Sequence, residues 1–452
     1  MRIIIVGDGK MGSALMNQLS REGHDITVID HKSTVLNQSV NVHDVIGIQG
    51  NGASYDVLME AGVSRSDLVI AATSSDELNI LCCFMARKLG ARSTIARVRN
   101  PEYAKQMQIM REDLGLSMVV NPERSAAREI ARNLRLPSAL NIDLFAQGRV
   151  ELIELLLQKD NPLAGKSLSE IGGLFTEKFL VCAVNRNGDV HIPTGSFVLR
   201  EGDRIHFTAS AAHTSSLFKR LGIVQHEIRR VMIAGGGRIT NFLARQLLDL
   251  DMDVTIIEQD PERCRILCES LPEATVIQGD SSDRDLLNEE DIDQMDAFVA
   301  LTGLDEQNII LSMYAAARGV DKVLTKIDHI KFPEIFEGTG IGSVISPYRT
   351  TSNQITRFVR AMQNSYDSNT IESLHKMVDG HVEAMEFSIN SVALYVDIPL
   401  KYLRTRDDVL IACILRGGNV IVPGGNDMIK LGDRVIIVAR DGNIQELKDI
   451  LQ

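Results

Sequence analysis

The run Arg2-Ile3-Ile4-Ile5-Val6-Gly7-Asp8-Gly9-Lys10-Met11-Gly12, followed by a helical pattern to about Arg21 and then by Asp25-Ile26-Thr27-Val28-Ile29-Asp30, decides the fold. Five apolar-rich residues read as a buried strand, and the glycines as the turn that joins it to a helix. Gly7 permits the tight turn, Gly9 lets the backbone approach a pyrophosphate, and Gly12 lets helix and strand pack closely. The helix N-terminus offers unpaired N–H groups and the positive end of a dipole. Asp30, closing the second strand, stands where a carboxylate accepts ribose hydroxyls. Strand, glycine turn, helix and acid together form a dinucleotide-binding fingerprint, which a lone glycine motif does not.

The same pattern returns 228 residues later, with Gly7 landing on Gly235, Gly9 on Gly237 and Asp30 on Glu258. With one further residue of offset, Gln49-Gly50-Asn51 becomes Gln278-Gly279-Asp280, Thr73 becomes Thr302, Asp76-Glu77-Leu78-Asn79 becomes Asp305-Glu306-Gln307-Asn308, and Arg97 becomes Lys326. The chain is a tandem duplication. Each copy carries short Val/Ile/Ala runs alternating with helical patterns, the mark of parallel βαβ units buried on both faces. In copy one the strands fall near Arg2–Val6, Asp25–Ile29, Val45–Gln49, Leu68–Ala72, Ser93–Val98 and Ser117–Val120. In copy two they fall near Arg230–Ala234, Val254–Ile257, Ala274–Gln278, Ala297–Leu301, Lys322–Ile327 and Ser343–Ile345. Each copy closes on an Xaa-Pro step, Asn121-Pro122 or Ser346-Pro347. A helix follows, over Glu123–Asn133 or Thr351–Met362, placed either to cross to a neighbouring subunit or to pack on its own sheet.

Smaller repeats follow each sheet. Asp160-Asn161-Pro162-Leu163-Ala164-Gly165-Lys166-Ser167-Leu168 introduces hairpin strands that turn at Arg186-Asn187-Gly188 and end in Glu201-Gly202-Asp203-Arg204. The counterpart turns at Arg416-Gly417-Gly418-Asn419 and ends in Leu431-Gly432-Asp433-Arg434. Asn-Gly and Gly-Gly between strand patterns indicate hairpins. The fold class is therefore α/β: a tandem duplication of a Rossmann-like doubly wound parallel sheet, each sheet followed by a small α+β module. The divisions fall at 1–138, 139–226, 227–365 and 366–452.

The chain has 452 residues, 44% hydrophobic and 24% charged, with a formal net charge of -12. Acidic balance argues against a nucleic-acid or anionic-membrane surface, since both select basic patches. No apolar run approaches the 18 or more residues of a spanning helix, and a fold that begins at Arg2 leaves no room for a signal peptide, so a cytoplasmic or peripheral location is expected. Six cysteines suit a reducing compartment. Cys264 and Cys268, four apart on a helix, share one face; without further ligands they read as packing residues and no metal site is expected.

In order and character, the four modules resemble the TrkA family, the cytosolic nucleotide-binding regulatory subunits of bacterial Trk potassium uptake systems. The likeness rests on the two glycine fingerprints, the Pro-Leu-x-Gly-Lys-Ser-Leu start of a module and the late Gly-Asp-Arg strands, and it covers essentially the whole chain. It implies RCK (KTN) domains and a homotetramer whose ring holds eight such units on the cytoplasmic face of the inner membrane. The implied partner is a TrkH- or TrkG-like potassium-transporting subunit, and the implied ligand is NAD(H), with ATP or ADP as alternative adenine nucleotides.

Residues and resemblance agree on Gly7, Gly9 and Gly12 at the pyrophosphate and Asp30 at the ribose; the candidate first site also takes in Asp8, Lys10, Met11 and His31, with Asn51 at the adenine, Thr73 at the crevice, and Arg97 balancing phosphate charge or pairing with Glu77. Asp30 favours NAD over NADP, because a 2′-phosphate meets a like charge. The second site offers Gly235, Gly237, Arg238, Glu258, Asp280, Thr302 and Lys326. Thr240 replaces its third glycine, placing a β-branched side chain where helix and strand approach, which puts the pyrophosphate geometry there in question. An oxidoreductase is the alternative reading. Its weakness is that the small modules supply no catalytic pair, since His191 and His206 lie in strand patterns without a partnering carboxylate. A purely structural assembly protein is the third.

Overall fold

The computed structural model describes the chain except for residues 101–102, 104–105, 107–108, 137–138, 140, 146–148, 160, 175–178, 211–213, 215–216, 219–227, 329–342, 365–370, 378–380, 392, 394, 407, 441–443, 445 and 452. The boundaries expected at 138/139, 226/227 and 365/366 involve residues outside the described set.

The first sheet is built from β1 (Arg2–Val6), α1 (Lys10–Arg21), β2 (Asp25–Asp30), α2 (Ser33–Val42), β3 (Ile46–Gln49), α3 (Tyr55–Glu60), β4 (Leu68–Ala71), α4 (Asp76–Lys88), β5 (Ser93–Arg97), β6 (Met118–Val120) and α5 (Pro122–Arg135). Its six parallel strands run 3-2-1-4-5-6, so the order reverses between β1 and β4. That reversal opens the crevice in which ligands of such sheets bind. Ile3 to Val6 are buried throughout, as expected for a central strand covered on both faces. Met11, Leu15, Met16 and Leu19 form the buried stripe of α1. Ser75 caps α4 by accepting the Leu78 N–H at 3.2 Å, with Asp76 and Glu77 in the first turn and Arg87 and Lys88 in the last, matching the helix dipole at both ends. The Asn-Pro step starts α5: Asn121 Oδ1 accepts the Arg124 N–H at 2.8 Å, and Pro122 sits where a missing N–H costs nothing.

The first module comprises β7 (Asn141–Phe145), β8 (Val150–Leu156), α6 (Leu168–Leu174), β9 (Leu180–Arg186), β10 (Asp189–His191) and β11 (Arg204–Ser210), an antiparallel sheet in the order 10-9-11-8-7. Asn187 and Gly188 both have positive φ, 52° and 91°, which a two-residue hairpin turn of this hand requires. The second sheet repeats the first: β12 (Arg230–Ala234), α7 (Arg238–Leu248), β13 (Asp253–Glu258), α8 (Pro261–Ser270), β14 (Thr275–Gln278), α9 (Arg284–Glu289), β15 (Ala297–Ala300), α10 (Asp305–Ala317), β16 (Lys322–Lys326), β17 (Ser343–Ile345) and α11 (Pro347–Asn364), ordered 14-13-12-15-16-17. The second module, β18 (Ile371–Met377), β19 (Val382–Ser388), β20 (Val409–Arg416), β21 (Asn419–Ile421) and β22 (Arg434–Ala439), is antiparallel in the order 18-19-22-20-21.

The repeated Gly-Asp-Arg segments of the modules are explained by ion pairs between a buried aspartate and a half-buried arginine. Arg186 grips Asp203 with two bonds of 2.7 Å, and Arg416 grips Asp433 at 2.9 and 2.7 Å. Each aspartate also accepts a backbone N–H, from Arg200 or Lys430, and so ties the hairpin to the turn before the last strand. The hydrogen bond to the aspartate holds each guanidinium pKa above its ordinary range.

Two compact units result. One joins Met1–Ile130 with Arg230–Thr356, and the other joins Ala131–Arg229 with Arg357–Gln452. Within the first, α5 and α11 meet through reciprocal pairs. Ser125 Oγ bonds Gln354 Oε1 at 3.3 Å, and Thr350 bonds Glu129. Counted from Pro122 and Pro347, Ser125 corresponds to Thr350 and Glu129 to Gln354, so each position meets its opposite number as in a two-fold dimer. The helix that follows each sheet thus packs against its counterpart in the same chain. Within the second unit, Phe145, Cys182 and Ala183 share a core with Ala384, Cys413 and Ile436. Among the described residues, no helix is long and apolar enough to cross a membrane.

Candidate functional site: two strand-end crevices

In the first crevice the three glycines have separable reasons. Gly7 has φ of +100°, and a Cβ there would meet the backbone of Thr73 at 2.9 Å. A Cβ on Gly12 would lie 2.0 Å from the Gly7 carbonyl oxygen. Gly9 faces open space, leaving room for a ligand to reach the backbone. Ser13 is the first residue of α1 whose N–H bonds within the helix turn, to the Gly9 carbonyl at 2.9 Å, so the amides of Lys10, Met11 and Gly12 form the free N-terminal set. Met11 contributes only that backbone, because its side chain belongs to the buried stripe of α1.

Asp30 is held at the end of β2 by its own neighbours: Oδ2 accepts the Asp8 N–H at 2.8 Å and Oδ1 the Lys32 N–H at 2.9 Å, with His31 Nδ1 at 3.1 Å. Glu258 reproduces this in the second crevice, where Oε2 accepts the Gly236 N–H at 2.6 Å and Oε1 the Asp260 N–H at 2.8 Å. The longer acid is accommodated because Gly236 replaces Asp8; a Cβ on Gly236 would lie 2.9 Å from Glu258. Asp8 itself is 4% exposed, and neither carboxylate oxygen has a hydrogen-bond partner. Burial pushes its carboxyl pKa up, Ser39 draws it down, and Asp30 adds to the rise.

At the ends of β4 and β5 a buried amide, which sequence reading quoted without assigning, ties the crevice together. Asn79, 0% exposed, accepts the N–H and hydroxyl of Thr73 at 2.8 and 2.7 Å and donates to the Arg97 carbonyl at 2.9 Å. Asn308 does the same for Thr302 and Lys326 at 2.8, 2.7 and 3.0 Å. Asp76 and Asp305 act beside them, accepting the N–H of Arg99 and of Asp328. The exact repetition of Asp76 and Asn79 at 305 and 308 was the available signal.

Arg97 does not pair with Glu77, whose carboxylate accepts from Ser75 at 2.7 Å. Burial, then the adjacent Arg99, holds the Arg97 guanidinium below its ordinary range, while Glu123, Tyr348 and Asp76 oppose that shift. Lys326 donates to the Thr302 carbonyl at 3.0 Å and stands 3.7 Å from Asp328. Asn51 and Asp280 brace their own loops, accepting from the N–H of Ala53 at 3.0 Å and of Ser282 at 2.8 Å. Thr240 is fully buried, and its hydroxyl donates to the Gly235 carbonyl, so the side chain that replaces the third glycine closes the turn with a hydrogen bond. Gly237 faces open space like Gly9, and Arg238 is exposed at the start of α7.

A contact between the repeats, invisible in the sequence, joins the crevices: Lys10 Nζ of the first glycine loop lies 3.1 Å from Asp328 Oδ2, two residues beyond β16. Burial disfavours the Lys10 ammonium, but its hydrogen bond to Asp328 and the charges of Asp328, Tyr348 and Asp305 together outweigh this and raise its pKa. Cys264 is buried and donates to the Glu258 carbonyl at 3.2 Å, whereas Cys268 is exposed, so the pair does not share an environment.

The arrangement can seat an anion on free helix amides and a diol on a fixed carboxylate, twice. Comparison with known proteins identifies the family and the fold. The TrkA-N domain family matches residues 3–122 and 231–347, and the TrkA-C domain family matches 152–222 and 384–452. The Trk system potassium uptake protein TrkA homolog of Archaeoglobus fulgidus is 32% identical, with 100% of both chains covered. The Trk system potassium uptake protein TrkA of Haemophilus influenzae is 31% identical over 100% of this chain and 99% of its own. Among solved structures, the GsuK channel bound to NAD superposes with a TM-score of 0.64 at 17% identity, covering 97% of this chain and 77% of that one. The GsuK RCK domain gives the same TM-score over 97% and 92%. At that identity the likeness speaks for the fold.

Proposed function

Because the chain belongs to the TrkA family, we propose that it is the regulatory subunit of a Trk-type potassium transport system and gates its membrane partner in response to a bound nucleotide. The observation that carries the reading is the paired crevice: free α1 and α7 amides under a glycine turn, facing a strand-end acid fixed by two backbone N–H groups in each copy. NAD(H) is the ligand favoured by Asp30, with ATP or ADP as alternatives. Support comes from the structural neighbours, since GsuK has been described bound to NAD and bound to ADP.

The four-part division at 1–138, 139–226, 227–365 and 366–452 is proposed to place two RCK units in each chain, and four chains in a ring of eight. The reciprocal pairing of α5 with α11 supports this, since it already makes one two-fold contact inside the chain. The partner is proposed to be a TrkH- or TrkG-like pore subunit, with the ring on the cytoplasmic face of the membrane. The protein acts by binding, without turnover. Nucleotide needs to favour one ring arrangement by only about 1–3 kcal/mol to gate the partner.

The test is potassium flux through reconstituted transporter, with and without this protein, in NADH, NAD, ATP and ADP. Flux that responds to nucleotide only when the protein is present, and loses the response in Asp30→Ala, is the expected result. Flux indifferent to every nucleotide sinks the reading. Nicotinamide absorbance consumed with any hydroxy- or amino-acid substrate would instead establish an oxidoreductase.

A further inference from the structure

The two glycine turns carry their acids differently. The first has two short carboxylates, Asp8 within the turn and Asp30 at the strand end, and the second has one longer carboxylate, Glu258, opposite Gly236. Glu258 fills the space that a side chain at 236 would take, since a Cβ there would lie 2.9 Å from it. Copy one thereby keeps a second acid that copy two lacks. We propose that Asp8 makes a proton the co-ligand of the first crevice: a dinucleotide binds there together with a proton, taken from solvent by the Asp8 carboxylate, and binds the second crevice without one. This rests on the nucleotide-binding reading above and adds a pH regulation to one of its two sites.

Asp8 sits where a charge is costly. It is 4% exposed, and neither carboxylate oxygen has a hydrogen-bond partner. A buried carboxylate keeps its charge only where donors or cations surround it. Three elements bring polar or charged groups to this one, and none supplies a donor. In the glycine turn, the Asp8 N–H is given to Asp30 Oδ2 at 2.8 Å, and the Lys10 ammonium is turned to Asp328 at 3.1 Å. From β2, Asp30 brings a like charge, itself held by the Lys32 N–H at 2.9 Å and by His31 Nδ1 at 3.1 Å. From α2 and its C-cap, Ser39 and His43 favour the charged form, yet neither completes a hydrogen bond to it. Burial outweighs them, and the Asp8 pKa stands above its ordinary value.

A dinucleotide on this loop makes that charge costlier still. Its doubly charged pyrophosphate goes to the free amides of Lys10, Met11 and Gly12, which begin two residues beyond Asp8. Its ribose draws on the Asp30 carboxylate, whose Oδ2 already accepts the Asp8 N–H. Three anionic groups then share one turn, and Asp8, buried and without a donor, sheds its charge by taking a proton. Linkage fixes the sign: ligand raises the proton affinity of Asp8, so protons raise the affinity for ligand, and the first crevice loses nucleotide as pH rises through the Asp8 pKa. In the second crevice both Glu258 oxygens accept backbone N–H groups, at 2.6 and 2.8 Å, and Gly236 offers no second acid to titrate.

Calorimetric titration of the full chain with NAD tests this, because the NAD pyrophosphate keeps its charge from about pH 5 to about pH 8. Repeating the titration in buffers of different ionisation enthalpy counts the protons taken up, with Glu258→Ala isolating the first site and Asp30→Ala the second. The expected result is a net uptake of at most one proton per NAD at the first site, whose affinity falls about fivefold or more over that range, and no uptake at the second. Asp8→Asn, and Asp8→Gly as the copy of Gly236, are each expected to abolish the uptake and to bind NAD more tightly than the wild type at pH 8, whereas His43→Gln is expected to retain the uptake. Binding to the first site without proton uptake, uptake that persists in both Asp8 variants, or uptake lost in His43→Gln overturns the proposal while leaving nucleotide binding intact. Absence of NAD binding to the wild-type chain at every pH overturns the underlying reading as well.

Discussion

Replacing Asn79 by alanine is the sharpest test of how the crevice is held open. The amide is fully buried and fills four roles at the ends of β4 and β5, accepting the Thr73 N–H and hydroxyl and donating to the carbonyls of Arg97 and Thr73. The Thr73 hydroxyl keeps another acceptor, the Ser75 carbonyl at 3.2 Å, so its loss counts little. The Thr73 N–H and the Arg97 carbonyl have no such alternative. A buried backbone group left unpaired costs about 1–3 kcal/mol, and water reaching the half-buried Thr73 recovers part of that, which gives an expected loss of ~2–4 kcal/mol. Urea denaturation measures the loss, and hydrogen exchange of the Thr73 amide localises it, because that proton should lose its protection. Asn308→Ala should cost a similar amount in the second copy, where the distances repeat. A loss below about 0.5 kcal/mol, typical of an unimportant surface change, would refute the reasoning, as would a Thr73 amide that stays protected.

Three other outcomes follow from the geometry. Gly9→Ala should leave stability within about 0.5 kcal/mol, since its Cβ enters open space, while nucleotide affinity falls at least tenfold because that space is where the phosphates approach; unchanged affinity in calorimetry would show that the ligand lies elsewhere. Native chain titrated with a thiol reagent at pH 8 should label Cys268 rapidly and Cys82, Cys182 and Cys413 slowly, since burial pushes those three thiols up to about 12; rapid labelling of several thiols, located by peptide mapping, would contradict the packing. Asp8→Asn should stabilise the chain increasingly as pH rises above 3.8, the ordinary value for that carboxyl, because a group whose folded pKa is raised contributes stability at low pH and loses it on ionising; a difference in urea midpoint that does not change between pH 4 and 7 would count against it.

Much of the fold was legible because the deciding features are local. The glycine at position 7 and the apolar run before it fix a strand and its turn within a dozen residues, and the repeat at 235 tests the reading a second time. Strand limits differ from expectation by a residue or two, as for Val45–Gln49, which begins at Ile46. The site was less legible where function depends on buried polarity or long separation. Asn79 lies inside a helix, where a polar residue reads as part of the solvated face until the strand ends it bridges are known. Asn51 has the right chemistry for an adenine, yet its carbonyl oxygen is committed to Ala53 in its own loop. Lys10 and Asp328 are 318 residues apart, and no periodicity links them. Thr240 was read as an obstruction because a glycine was missing; its hydroxyl makes a bond that glycine never offers.

The reciprocal contacts of α5 and α11 carry a consequence for how such a protein can change. In a dimer of identical chains every substitution appears at both symmetric positions, so a favourable alteration on one side is tied to its effect on the other. Joining the halves in one polypeptide removes that constraint: Ser125 and Gln354 can differ from Thr350 and Glu129, and Arg99 can drift to an aspartate at its counterpart without disturbing the original. Fusion therefore turns a symmetric pair into two independently adjustable inputs while keeping the contact through which each is felt by the other.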